Sequence, residues 1–110
     1  MDALLGIPGG LTAGFAEEMI RAAHVKRRPT MFPARTRTTM EALATYGTSD
    51  VGIARQAARL VEKILAGAQA GDLPIERPMK LDLSINLKTA QVLGLTTPPV
   101  LLFKADEVIR

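Results

Sequence analysis

The sequence predicts an α/β domain of short parallel strands with flanking helices, and three patterns carry that prediction. Two short apolar runs, residues 3–7 and 30–32, bracket a stretch of helical periodicity. A long amphipathic stretch then follows Thr48, Ser49 and Asp50. Further on, Leu81, Leu83, Ile85 and Leu87 alternate strictly with Lys80, Asp82, Ser84 and Asn86, the period of a strand. Strand, helix, strand in sequence points to parallel pairing through a crossover.

The elements follow in order. Residues 3–7 read as a buried strand running into the turn Pro8-Gly9-Gly10. Residues 12–27 read as one helix, with Phe15, Met19 and Ala22 at helical spacing and Lys26 and Arg27 near its C-terminus, where cations suit the dipole. His24 lies away from Phe15 and is expected in solvent. Pro29 stops the helix, residues 30–32 form the next strand, and Pro33 closes it. Residues 35–40 read as a polar loop and residues 42–46 as a third strand ended by Gly47.

The helix over residues 50–66 has a cap in Thr48, Ser49 or Asp50, whose short side chains accept a bond from an orphan amide. Ile53, Ala57, Leu60, Val61, Ile64 and Ala68 line its apolar face, and Gly67 or Gly71 ends it. Residues 73–78, with two prolines, form an extended connector. In the strand over residues 81–87 the leucines and isoleucine are expected to face the core. A short helix over residues 88–93 ends at Gly94, Pro98-Pro99 starts a last turn, and residues 106–109 close the chain as a strand.

Composition bounds the function. The 110 residues suit one ordinary domain, and 47% hydrophobic content supports a core. Aromatics are only 4%, so that core is aliphatic. Net charge is +3 with both signs interspersed, and the basic cluster of Lys26, Arg27, Arg28, Arg35 and Arg37 holds one aromatic, Phe32, too few to interleave it as a stacking platform, which argues against a nucleic-acid binder. With no cysteine there is no disulfide, thiolate nucleophile or sulfur-ligated zinc. Glu17 and Glu18 are adjacent and face apart on a helix, so they make no acid–base pair. No phosphate loop, dinucleotide fingerprint or nucleophile elbow is present, so no catalytic residue, metal site or cofactor is assigned. No apolar run reaches the roughly 20 residues of a membrane span. No signal-peptide pattern opens the chain.

The stretch from Tyr46 to the end resembles a known family. Tyr46-Gly47, the run Ala57 to Ala68, Asp72-Leu73-Pro74-Ile75-Glu76, Ile85-Asn86-Leu87-Lys88-Thr89-Ala90, Leu93-Gly94-Leu95-Thr96, Pro98-Pro99, Leu101-Leu102 and Ala105-Asp106-Glu107-Val108-Ile109 carry it. These resemble the end of the uncharacterised substrate-binding proteins of ABC transporters, which are related to bacterial tryptophan- and tyrosine-binding receptors. Asp2-Ala3-Leu4-Leu5, Arg28-Pro29, Phe32-Pro33 and Arg35 extend the likeness more loosely over the first half.

The resemblance implies the C-terminal part of a type I periplasmic-binding-protein-like fold, in which two lobes close on a ligand. It places residues 1–42 in the second lobe, residues 43–49 across the hinge, and residues 50–110 against the first lobe and hinge. It implies a small solute of the amino-acid class, aromatic amino acids included, as ligand, and an ABC permease as partner. The parent protein is then periplasmic or extracytoplasmic, and a start in mid-protein accounts for the missing leader. Pro8, Gly9, Gly10, Phe32, Arg35 and Tyr46 are the candidate ligand contacts. Arg35 suits a carboxylate, and amides after Gly9 suit one as well. The ordinary alternatives are a turn that needs glycine, a solvated arginine and a tyrosine packed between lobes. An isolated chain of this kind is expected to self-associate and to bind free amino acids weakly at most. A stand-alone oligomeric interaction module without a small-molecule ligand is the alternative from another class.

Overall fold

The structure, a computed structural model, describes residues 2–110. Its strands are β1 (Leu4–Leu5), β2 (Thr30–Phe32), β3 (Ala44–Thr48), β4 (Leu81–Asn86) and β5 (Glu107–Ile109). Its helices are α1 (Gly10–Gly14), α2 (Ala16–Val25), α3 (Asp50–Leu65), α4 (Leu87–Leu93) and α5 (Pro99–Lys104). The strands make one sheet in the order β1-β2-β3-β4-β5. β1 with β2, β2 with β3, and β4 with β5 are parallel. The expected α/β class with short parallel strands and flanking helices is therefore observed.

The chain divides into two compact units, one made of residues up to Gly47 together with residues 82–110, the other of residues 48–81. In the first, register fixes the faces. Leu4 pairs with Thr30, and Phe32 with Thr45, so these four side chains share a face; Leu5, Met31 and Ala44 share the other. Phe32, Ala16, Ile20 and Ala42 form the core, with Leu4, Met19 and Met40 packed against it. α2 thus covers the Phe32 face. A methyl group at Gly6 would overlap the Phe32 ring, and one at Gly47 would overlap the carbonyl oxygen of Pro33. Both glycines serve close approach on either side of the end of β2.

Several elements differ from the sequence reading. The single helix over residues 12–27 is two helices, broken at Phe15, and the first contains glycine at both ends, a poor helix former. The buried face of α2 is Ala16, Ile20 and Ala23, not Phe15, Met19 and Ala22. Phe15 is 56% exposed. Two alanines let the helix approach Phe32 closely, and the larger side chains one position away turn outward. β1 is shorter than expected and Leu5 and Ile7 are exposed. β3 begins at Ala44, although Ala42 is fully buried ahead of it. Residues 35–40 open with a 3-10 turn, Arg35–Arg37, and bury Thr38.

The largest correction concerns β4. Asp82, Ser84 and Asn86 are the buried side chains, with Ile85, while Leu81 is 48% exposed. Burial of Asn86 is tolerated because its amide group finds partners. Asn86 Nδ2 donates to Thr38 O at 3.1 Å, and its Oδ1 accepts from the Thr89 amide at 3.1 Å, capping α4. Leu83 N donates to Asp106 Oδ2 at 2.8 Å, and Asp106 N donates back to Leu83 O at 2.8 Å, which fixes β5 beside β4. Gly94, at φ 71°, ends α4 as expected, and Pro99 opens α5.

In the second unit α3 matches its expected span. Ser49 Oγ accepts from Gly52 N at 3.2 Å, the N-terminal cap. Gly67, at φ 109°, ends the helix, with Gly67 N bonded to Ile64 O and Ala68 N to Lys63 O, both at 3.0 Å. Gln56 and Arg59 hold the connector: Arg59 Nη2 lies 2.6 Å from Glu76 Oε2, and Gln56 accepts from Met79 N at 3.1 Å. No residue of α3 is buried.

Candidate functional site

Parallel strands leave their carboxyl ends at one edge, where connecting loops open a crevice. Here the ends of β1 and β2 do so. Ile7, Pro8 and Gly9 follow β1, Thr12 and Ala13 come from α1, and Phe32, Pro33, Ala34 and Arg37 follow or end β2. Together they enclose about 70 Å³. Whole-ligand pockets measure roughly 300–1,000 Å³. This crevice therefore has room for a head group but not for an entire solute.

Of the six sequence candidates, the structure brings Pro8, Gly9 and Phe32 together in this crevice. Phe32 contributes part of a ring already 98% buried, so it is wall as much as contact. Gly10 is the first residue of α1 and does not line it. Tyr46 sits on β3, on the face of Leu5 and Met31, and is 50% exposed. Arg35 is turned to another partner: its Nε donates to Glu107 Oε2 at 2.8 Å. That hydrogen bond holds the Glu107 carboxyl below the usual carboxylate range against the opposing effect of burial, and pushes Arg35 up in turn.

The glycines are more informative than the turn itself. Gly9 has φ 171°, an extended backbone open to any residue, and Gly10 is not in the left-handed region. A methyl group at Gly10 would meet nothing within 4 Å, and one at Gly9 only Thr12 Oγ1 at 4.0 Å. Neither backbone conformation nor packing in this chain requires glycine there. The first amides of α1 also have no partner within the helix.

Arg37 was absent from the sequence candidates and is the crevice's cation. It lies two residues past Arg35 in the same 3-10 turn, and only the geometry of that turn separates their directions. Arg37 Nη2 donates to Ala13 O at 3.0 Å and Nη1 contacts Met40 Sδ at 3.2 Å. The sequence signal was its place in the Arg35-Thr36-Arg37 triplet, which does not say which arginine faces inward.

A larger hollow, about 350 Å³, lies along the outer side of α2 between Glu17, Ile20, Arg21 and His24 and the segment Thr39, Met40 and Glu41. His24 is not in free solvent as expected. Its Nε2 lies 3.0 Å from Glu41 O, an acceptor, so that nitrogen carries the hydrogen. Thr89 Oγ1 donates to the same carbonyl at 3.0 Å. These bonds hold Glu41 at φ 70°, an unusual conformation for a residue other than glycine. Among the described residues no cluster of three or more His, Asp or Glu side chains is placed to hold a metal ion. Among those residues no helix is long and apolar enough to cross a membrane.

Comparison with known proteins gives a consistent answer. The family model described as ABC transporter substrate binding protein matches residues 3–109. A conserved domain protein of Vibrio cholerae O1 biovar eltor is 30% identical over 97% of this chain, with a TM-score of 0.87. An ABC domain from Streptococcus pneumonia, solved in complex with L-Trp, is 23% identical over 99% of the chain, with a TM-score of 0.89. A substrate-binding protein with adhesive properties from Clostridium difficile, in a ligand-free, open structure, is 20% identical over 99%, with a TM-score of 0.72. The chain spans 36%, 37% and 36% of these proteins respectively. No curated protein matches significantly.

Proposed function

Because the chain belongs to the ABC transporter substrate-binding protein family, we propose that it supplies one wall of a cleft that captures a small solute for import. The observation that carries this reading is the crevice at the carboxyl ends of β1 and β2, lined by a glycine at position 9 that its own backbone and packing do not require. Bare backbone at such a place lets a ligand approach closely. Family members are extracytoplasmic binding proteins in general, and we assign the same compartment here.

In the protein that completes the cleft, residues 1–42 lie in the second lobe, residues 43–49 cross the hinge, and residues 50–110 pack on the first lobe and hinge. Hinge closure then traps the solute, and the closed form docks on an ABC permease. Pro8, Gly9, Gly10, Phe32, Arg35 and Tyr46 remain the proposed ligand-contact set, with Arg35 reaching the solute only if it leaves Glu107. An amino acid, aromatic for preference, is the solute class. The chain performs no chemistry on it.

Amide-resolved NMR titration of the chain with L-tryptophan, L-tyrosine and a panel of other amino acids tests the reading. Shifts at Gly9, Thr12 and Ala34, saturating in the millimolar range, are expected. Shifts confined to α3, or none from any solute at millimolar concentration, contradict it.

A second reading has its own observation. Among the described residues only seven hydrophobic side chains are buried, and four of them are alanines. Phe103 is 92% exposed and Ile75 fully so. Such apolar surface suits a self-associating interaction module without a small-molecule ligand. A defined oligomer with a silent amino-acid titration supports that alternative.

A further inference from the structure

We propose that Arg37 is the residue that reads the solute, by binding its carboxylate. The inference rests on the solute-capture reading above and goes beyond it by naming the recognised group and the side chain that recognises it. Three observations meet at this residue.

First, Arg37 lines the crevice with Gly9, Thr12, Phe32 and Pro33, whereas Arg35 is held on Glu107. Second, its charge is unanswered. Its two hydrogen-bond partners are a carbonyl oxygen and a thioether sulfur, both neutral, and no carboxylate among the described residues stands within ion-pair distance. Arg37 is half-buried as a residue, so its surroundings give it less water than a free side chain and no counter-ion. A partly desolvated cation of this kind favours an anionic partner. Third, those two bonds fix the plane of the guanidinium and use two of its five N–H donors. Three N–H donors of the planar group are left, enough for the paired bonds that suit a carboxylate. The about 70 Å³ of space beside it suits a head group and not a whole amino acid. The solute class is therefore an organic acid or amino acid entering carboxylate first, its side chain directed outward.

The test compares three indole probes that differ at one end: L-tryptophan, indole-3-propionate and tryptamine, which lacks the carboxylate. Amide shifts at Gly9, Thr12 and Ala34 give the dissociation constants. The two acids are expected to bind at least tenfold more tightly than tryptamine. Arg37→Gln is expected to reduce the acids to the level of tryptamine and to leave tryptamine unchanged. Arg37→Lys keeps a point charge without the fork and is expected to fall between. Tryptamine binding as tightly as tryptophan to the parent chain overturns the inference without any variant, which covers the case of a variant that misfolds. Unchanged binding of the acids to a folded Arg37→Gln chain also overturns it. In both cases crevice shifts in the parent leave the solute-capture reading standing. Absence of crevice shifts with all three probes overturns both.

Discussion

Thr45 is 1% exposed, and its Oγ1 has no hydrogen-bond partner among the described residues. A buried hydroxyl in that state carries a desolvation cost of about 1–3 kcal/mol. Thr45→Val keeps the shape and the strand propensity and removes the hydroxyl, so it is expected to raise stability by about 1 kcal/mol in urea unfolding. A loss of similar size would place an unrecognised partner on that oxygen. Glu107 makes the opposite case. Its folded carboxyl is held down by Arg35, so its contribution is present above the ordinary carboxylate range and disappears as pH falls through the lowered folded value. The pair is largely exposed, so solvent screens it and its contribution to stability is small. Glu107→Gln is expected to flatten the fall in urea midpoint between about pH 5 and pH 3. Neither feature was legible in the sequence, because each depends on a neighbour far along the chain. Arg35 and Glu107 are 72 positions apart. The turn Pro8-Gly9-Gly10 was legible as a place, since glycines between a strand and a helix mark a loop. That its glycines are unforced could be learned only from φ and from the space around each Cβ.

Helix ends show which local rules the sequence states openly. Ser49, Gly67, Asn86, Gly94 and Pro99 all cap or bound helices by short-range chemistry. The end of α2 does not announce itself. Arg27 sits there at φ 51°, with Arg27 N bonded to His24 O and Arg28 N to Ala23 O, the same pattern that Gly67 forms at α3. A side chain in this conformation costs about 1 kcal/mol relative to glycine. Arg27→Gly is therefore expected to raise the thermal midpoint, with a gain of about 0.5–1 kcal/mol; a drop would mean that the arginine side chain holds more than its backbone loses. The facing of α2 and β4 was read the wrong way round for a common reason. Periodicity gives the period of an element, while the phase was assigned by putting the larger apolar residues inside. In α2 the inner positions are small because Phe32 fills the space. In β4 inner positions are polar because Thr38 and Thr89 supply bonds to Asn86 and Glu107 accepts from Ser84. Tertiary partners set the phase, and one strand read alone does not contain them.

At the scale of the molecule, α/β class and the location of the crevice follow from crossover topology and loop chemistry, and the family likeness was carried by short runs such as Asn86 to Ala90. α3 has an apolar stripe at Ile53, Leu60 and Ile64 with nothing buried, and Leu5, Phe15 and Phe103 are open in the other unit. Surface of this sort associates in water. Light scattering is expected to give a mass above that of one chain, and a strict monomer across micromolar to millimolar concentration contradicts the self-association proposed for the isolated chain. The central claim is that the crevice exists for a ligand and not for the fold. Gly9→Ala separates the two, because the added methyl enters open space 4.0 Å from Thr12 Oγ1 in a backbone that tolerates it. Measured side by side in a thermal melt and an L-tryptophan titration, the variant is predicted to keep its stability within about 1 kcal/mol of the parent and to bind at least fivefold more weakly. Unchanged affinity, or a collapse in stability, contradicts the account.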